Sequence, residues 1–90
     1  MVKAFCYEVF GAGSIRLNLH DNARIKDVLD ELDRQFGVRF KEKTGMTLER
    51  AFVSPFIMFL NGLHLSLPAD GGHKLKDGDE LVILRPVHGG

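Results

Sequence analysis

Ile25-Lys26-Asp27-Val28-Leu29-Asp30-Glu31-Leu32-Asp33-Arg34-Gln35-Phe36-Gly37 is the stretch on which the fold turns. Ile25, Val28, Leu29, Leu32 and Phe36 recur at steps of three and four, which lines them along one stripe of a helix. Lys26, Asp27, Asp30, Glu31, Asp33 and Arg34 fill the other side, with Asp30 and Arg34 spaced to pair. Gly37 stands where a left-handed residue ends a helix. A helix with a single apolar stripe covers one face of one sheet, so strands are required on both sides of it in sequence.

On the N-terminal side, Val2 to Phe10 is rich in β-branched and aromatic residues and reads as a strand. Gly11-Ala12-Gly13-Ser14 turns, and Ile15-Arg16-Leu17-Asn18-Leu19-His20 then alternates strictly. That period buries Ile15, Leu17 and Leu19 on one face of a second strand. His20-Asp21-Asn22 offers helix caps.

On the C-terminal side, residues 38–55 read as a loop with one short helix near Leu48–Phe52, closed by Ser54-Pro55. Phe56-Ile57-Met58-Phe59-Leu60 is a strand, and Asn61-Gly62 is the strongest short signal for a hairpin. Leu63-His64-Leu65 returns. Pro68 to Gly72 is loop, Lys76-Asp77-Gly78-Asp79 is a turn, and Leu81-Val82-Ile83-Leu84 is a central strand stopped by Pro86. The order strand, strand, helix, strand, short strand, strand makes an α+β roll. Its mixed sheet has four to five strands and packs on one main helix, because a helical crossover favours parallel pairing of the flanking strands.

Ninety residues make one domain, and no run approaches the ~20 apolar residues of a membrane span. The start lacks a basic segment followed by an apolar run and a small-residue cleavage site, so no signal peptide is expected. Twelve basic and twelve acidic side chains cancel, which gives no electrostatic reason for nucleic acid or anionic membrane as partner. Cys6 has no second cysteine to join, in keeping with a reducing cytoplasm. His20, His64, His73 and His88 show no ligand spacing, so no metal site is expected.

The order of elements, the Leu60-Asn61-Gly62 turn and the ending Leu75-Lys76-Asp77-Gly78-Asp79-Glu80-Leu81 … Pro86-Val87-His88-Gly89-Gly90 resemble the MoaD/ThiS group of ubiquitin-like sulfur carriers, closest to the small subunit of molybdopterin synthase. Leu84-Arg85-Pro86 departs from the aromatic-Pro-Pro common in that subunit. The resemblance implies a ubiquitin-like β-grasp domain over residues 1–86 and a free tail over 87–90. The lone cysteine excludes the four-cysteine ferredoxins that share this layout. The resemblance also implies a carrier rather than an enzyme, whose Gly90 carboxylate is adenylated by an E1-like enzyme using ATP and magnesium. Sulfur from a donor protein then converts it to a thiocarboxylate, used inside a complex with a larger catalytic subunit. Sulfur delivery to thiamine or an amino acid, or conjugation to lysines through Gly90, are the alternatives.

Physical chemistry fits the tail to that task. Gly89 and Gly90 lack a Cβ, so they enter a narrow channel in any conformation it imposes. Pro86 stiffens the exit, and Arg85, Val87 and His88 stand where a partner would meet the chain end. A frayed, inert tail is the bland alternative.

Strand parity gives a second, independent signal. If Met58 and Leu60, Leu81 and Ile83, and Val2, Ala4 and Cys6 face the helix, then Ile57, Phe59, Val82, Leu84, Phe5 and Tyr7 face away. An antiparallel or mixed sheet is normally polar where it meets water. An apolar outer face therefore marks a partner surface, unless residues 38–55 fold across it. Such side chains yield ~1.5–3 kcal/mol each when fully buried, enough to offset the several lost on association. Cys6 reads as a small core residue before it reads as a nucleophile. Asp77, Asp79 and Glu80 read as turn chemistry.

Overall fold

The computed structural model describes residues 1–8 and 10–85; Val9, Pro86 and the expected tail residues Val87, His88, Gly89 and Gly90 lie outside the described residues. The elements are β1 (Val2–Tyr7), β2 (Ser14–Leu19), α1 (Ile25–Thr44), α2 (Leu48–Val53), β3 (Ile57–Leu60), β4 (Leu63–Leu65), a 3₁₀ turn (Ala69–Gly72) and β5 (Glu80–Leu84). One five-stranded sheet runs in the order β2-β1-β5-β3-β4. β1 and β5 are parallel, and every other neighbouring pair is antiparallel.

The helical stripe lies where its spacing put it. Ile25, Val28 and Leu32 are fully buried, and they belong to one core with Cys6, Met58, Leu81 and Ile83 of the sheet. Ile15 is half-buried while Leu17 and Leu19 are buried, as the alternation of β2 required.

α1 is longer than its local sequence indicates. It passes through Gly37 and ends at Gly45, whose φ is 75° and whose N–H donates to the Lys41 carbonyl at 2.8 Å. A glycine inside a helix costs about 1 kcal/mol against alanine. Phe36 and Phe40, four residues apart, supply the compensation by packing on Phe10 at ring-centroid distances of 5.4 and 5.6 Å. Phe56 closes this aromatic cluster against Phe10, Phe40 and Phe52.

The start of the helix is also corrected. Arg24, not His20 to Asn22, is the N-cap, and its N–H donates to the Asp27 carboxylate at 2.7 Å. Arg34 pairs with Glu31 one turn back (Nε to Oε2, 3.0 Å) instead of with Asp30. Gln35 donates to the same carboxylate at 2.9 Å, so Glu31 gathers donors that Asp30 does not. Those hydrogen bonds, Arg34's first, hold the Glu31 carboxyl down to about 2.

The short helix expected near Leu48–Phe52 is α2, capped by the Thr47 hydroxyl, which accepts from the Arg50 N–H at 3.3 Å. Leu48, Ala51 and Phe52 are buried in the same core as the helical stripe. The segment therefore packs on the helix side, and the alternative that it covers the outer face of the sheet is set aside.

Candidate functional site

The outer face is assembled by strand register. Ser14 lies opposite Tyr7, Tyr7 opposite Val82, Val82 opposite Phe59, and Phe59 opposite His64. One row of side chains thus crosses all five strands with three apolar or aromatic residues at its centre. Ile57 and Leu84 form the adjacent pair, 39% and 41% exposed. Phe5 lies between Arg16 on β2 and Glu80 on β5.

The six side chains read from parity as outward-facing are all on this face. Phe5, Tyr7, Phe59 and Val82 are half-buried by their neighbours, and Ile57 and Leu84 are exposed. The Phe59 and His64 rings stand 5.5 Å apart. The Tyr7 hydroxyl donates to Glu80 Oε1 at 3.3 Å, and partial burial followed by the Glu80 carboxylate raises the phenol above its ordinary value. Arg85 is exposed directly after β5. The remaining expected site residues, Pro86 and those of the tail from Val87 to Gly90, lie outside the described residues.

Two turns anchor the central strand of this face. Asn61 and Gly62 have φ of 50° and 85°, as a hairpin turn with two left-handed positions demands. Asn61 Nδ2 donates to Asp79 Oδ1 at 2.9 Å, and the Glu80 N–H donates back to Asn61 Oδ1 at 2.9 Å. The Asn61 N–H reaches the Glu80 carbonyl at 2.8 Å. Asp79, 9% exposed, also accepts from the Lys76 N–H at 2.7 Å. Asp77 takes the Lys3 N–H at 2.8 Å, while Gly78, with φ of 89°, donates to the Lys3 carbonyl at 2.8 Å. The Asp-Gly-Asp motif is therefore structural, as read: it fastens the start of β5 to β1 and to the β3–β4 hairpin.

Cys6 is fully buried, and burial pushes its thiol up to about 12, which makes it a core residue with no nucleophilic thiolate near neutral pH. Sequence reasoning missed a half-open groove of about 680 Å³ between α1, α2 and the 67–72 loop. Leu29, Phe52, Val53 and Leu67 line it, and Arg24 closes one side by donating to the Gly72 carbonyl at 2.6 Å. Only long-range packing brings those segments together, so no local pattern announced it. Among the described residues no helix is long and apolar enough to cross a membrane, and no three His, Cys, Asp or Glu side chains cluster as a metal site.

A mixed sheet in this strand order under one main helix defines the ubiquitin-like β-grasp class. The chain belongs to the ThiS family, whose model matches residues 4–90. This is a family of small ubiquitin-like proteins that includes sulfur carriers and modifiers. The fold is similar to SAMP1 from Haloferax volcanii, at 23% identity and a TM-score of 0.68, covering 98% of this chain and 99% of that one. It is also similar to a protein described as molybdopterin converting factor subunit 1 from Pyrococcus furiosus, at 20% identity and a TM-score of 0.65, covering 97% and 100%. Over 51 residues the sequence is 39% identical to ubiquitin-related modifier 1 of Laccaria bicolor; the match spans 56% of this chain and 42% of that protein.

Proposed function

We propose that this chain is a sulfur carrier whose reactive group is the carboxylate of Gly90. An E1-like enzyme, using ATP and magnesium, joins that carboxylate to AMP with release of pyrophosphate. Sulfide-level sulfur delivered by a donor protein then attacks the acyl carbon, its bond to AMP breaks, AMP leaves, and a terminal thiocarboxylate remains, a carried group in the sense of other acyl and group carriers. Delivery takes place inside a complex with a larger catalytic subunit, of the molybdopterin-synthase type. The chain itself supplies no catalytic side chain; it supplies the surface by which partners hold it and the end on which they act.

The observation that carries this reading is the apolar row Tyr7–Val82–Phe59 with Ile57 and Leu84 beside it, uncovered among the described residues. β5 runs through the middle of that face, and in sequence Gly90 is only six residues beyond its end. Six residues beyond Leu84 span at most about 20 Å, so a partner gripping the face controls where the end reaches. Family membership with a match that runs to Gly90 supports the chemistry.

Intact-mass measurement after incubation with the activating enzyme, ATP and a sulfur donor tests it. A gain of about 16 daltons, oxygen replaced by sulfur, is the expected result. A correctly folded version ending at His88 gains nothing. An unmodified mass for the parent under conditions that adenylate it defeats the reading.

A second reading, conjugation to lysines through Gly90, is favoured by the relative named a ubiquitin-related modifier. Gly-Gly remnants on lysines of other proteins after proteolysis are its signature, and both outcomes are compatible in one protein.

A further inference from the structure

β2 forms one edge of the sheet, and the phase of its ladder with β1 determines what that edge presents. Phe5 donates its N–H to the Asp79 carbonyl at 2.9 Å, toward β5. Its cross-strand neighbour Arg16 therefore belongs to a pair that exchanges no hydrogen bond. At the hairpin end Glu8 donates to the Gly13 carbonyl at 2.7 Å, which sets the same phase. The bonded pairs are then Cys6–Ile15, Ala4–Leu17 and Val2–Leu19. The N–H and C=O of Arg16 and Asn18 consequently point off the sheet, and both residues are exposed.

Edges of this kind are usually blunted by proline, a bulge or inward-pointing charge. β2 reads Ser14-Ile15-Arg16-Leu17-Asn18-Leu19 and pairs with β1 through six consecutive positions without a bulge. Arg16 is its sole charge. The opposite edge, β4, is three residues long and correspondingly poor as a template.

We propose that this edge pairs with the same edge of a second copy of the chain. Of the antiparallel registers that suit the outward groups, the two centred on the middle of β2 overlap it most fully. Centred on Arg16, the pairing sets Arg16 directly against Arg16 of the second copy, and like charges so placed repel. Centred on Leu17, it sets Arg16 against Asn18 of the second copy and Asn18 against its Arg16. Each of those two pairs exchanges both hydrogen bonds, so every outward group of the two residues is satisfied. Ile15 then lies opposite Leu19 of the second copy on the helix side. Zero formal net charge leaves no overall repulsion between copies.

The product is a continuous sheet of twice five strands. Because the register keeps side-chain parity, both apolar outer faces lie on the same side of it. The dimer thus presents two docking surfaces and two carrier ends together, an arrangement that raises avidity for a partner with paired sites. A contact confined to one edge belongs to the small, transient class of interfaces, so it depends on concentration.

Sedimentation equilibrium on the full chain from about 10 µM to about 1 mM tests the pairing through mass action. The expected mass rises from 10.1 kDa toward twice that value. Asn18→Pro removes an N–H that points off the sheet, so it leaves the β1 ladder intact and holds the chain at monomer mass with an unchanged circular dichroism spectrum. Asn18→Lys weakens the dimer by about threefold or more, and Arg16→Glu added to it restores the dimer, because opposite charges then face each other twice. Without any substitution, raising concentration shifts the Arg16 and Asn18 amide resonances and leaves those of β4 in place. A constant 10.1 kDa overturns the proposal, as do unshifted Arg16 and Asn18 amides, a folded proline variant that still dimerises, or a charge pair that fails to restore.

Discussion

Phe59 sits at the crossing of the outer row, opposite Val82 on β5 and opposite His64 on β4, and is half-buried. A charge there disturbs little of the core and spoils the apolar face. If the proposed function holds, Phe59→Asp is expected to keep the fold and to lose at least about tenfold in affinity for the activating enzyme, measured by pull-down or calorimetry. Unchanged binding would take the face out of the mechanism. Asn61 works differently. It holds a left-handed φ of 50° and links two turns through its side chain. Asn61→Ala is expected to cost about 2–3 kcal/mol, read from the urea midpoint, since it strands the Glu80 N–H and forces alanine into a strained conformation. The outer-face residues were legible because a period of two leaves only two choices of face. The Asn61–Asp79 link was not, because its partners are 18 positions apart and neither pattern points to the other.

At the scale of elements, the two glycines of α1 separate helix interior from helix end. Gly37 lies inside α1, and a Cβ there would meet only the end of the exposed Asp33 side chain. Gly37→Ala is expected to raise stability by about 0.5–1 kcal/mol once that carboxylate turns aside. Gly45 carries a φ of 75° at the helix end, so Gly45→Ala is expected to lower stability by about 1 kcal/mol. Thermal midpoints moving in opposite directions check the pair. Glu31 gives α1 an acid-sensitive tie. Its carboxyl is held at about 2, below the ordinary 4.5. It therefore stabilises the fold above pH 4.5 and loses that contribution as pH falls from there toward 2. The side chain is partly exposed, so solvent screening keeps the effect small. Glu31→Gln is expected to flatten that limb of the stability curve. The stripe from Ile25 to Phe36 was legible, whereas the two further turns were not. Gly37 reads locally as a stop, and the rings that carry the helix past it come from Phe10 and Phe56, far away in sequence.

Across the whole molecule, the layered order of one helix on one mixed sheet followed from pattern alone. The crossover was expected to pair its flanking strands, yet β2 and β3 are not neighbours: the parallel contact is β1 with β5, which come together between them. What pattern could not supply was the groove between α1, α2 and the 67–72 loop, which exists only after three separated segments have packed.

The same parallel contact governs when the apolar outer face comes into being. Tyr7 belongs to the first strand and Val82 to the last, so the row between them joins residues separated by nearly the full length of the chain. Closing so long a loop is slow, and a chain emerging in order from a ribosome presents β1 and β2 well before β5. An unfinished polypeptide offers Phe5 and Tyr7 with no neighbours to complete them. Under the function proposed above, an enzyme that recognises the finished row inspects for completion, and half-made or wrongly folded chains are passed over before ATP is spent on them.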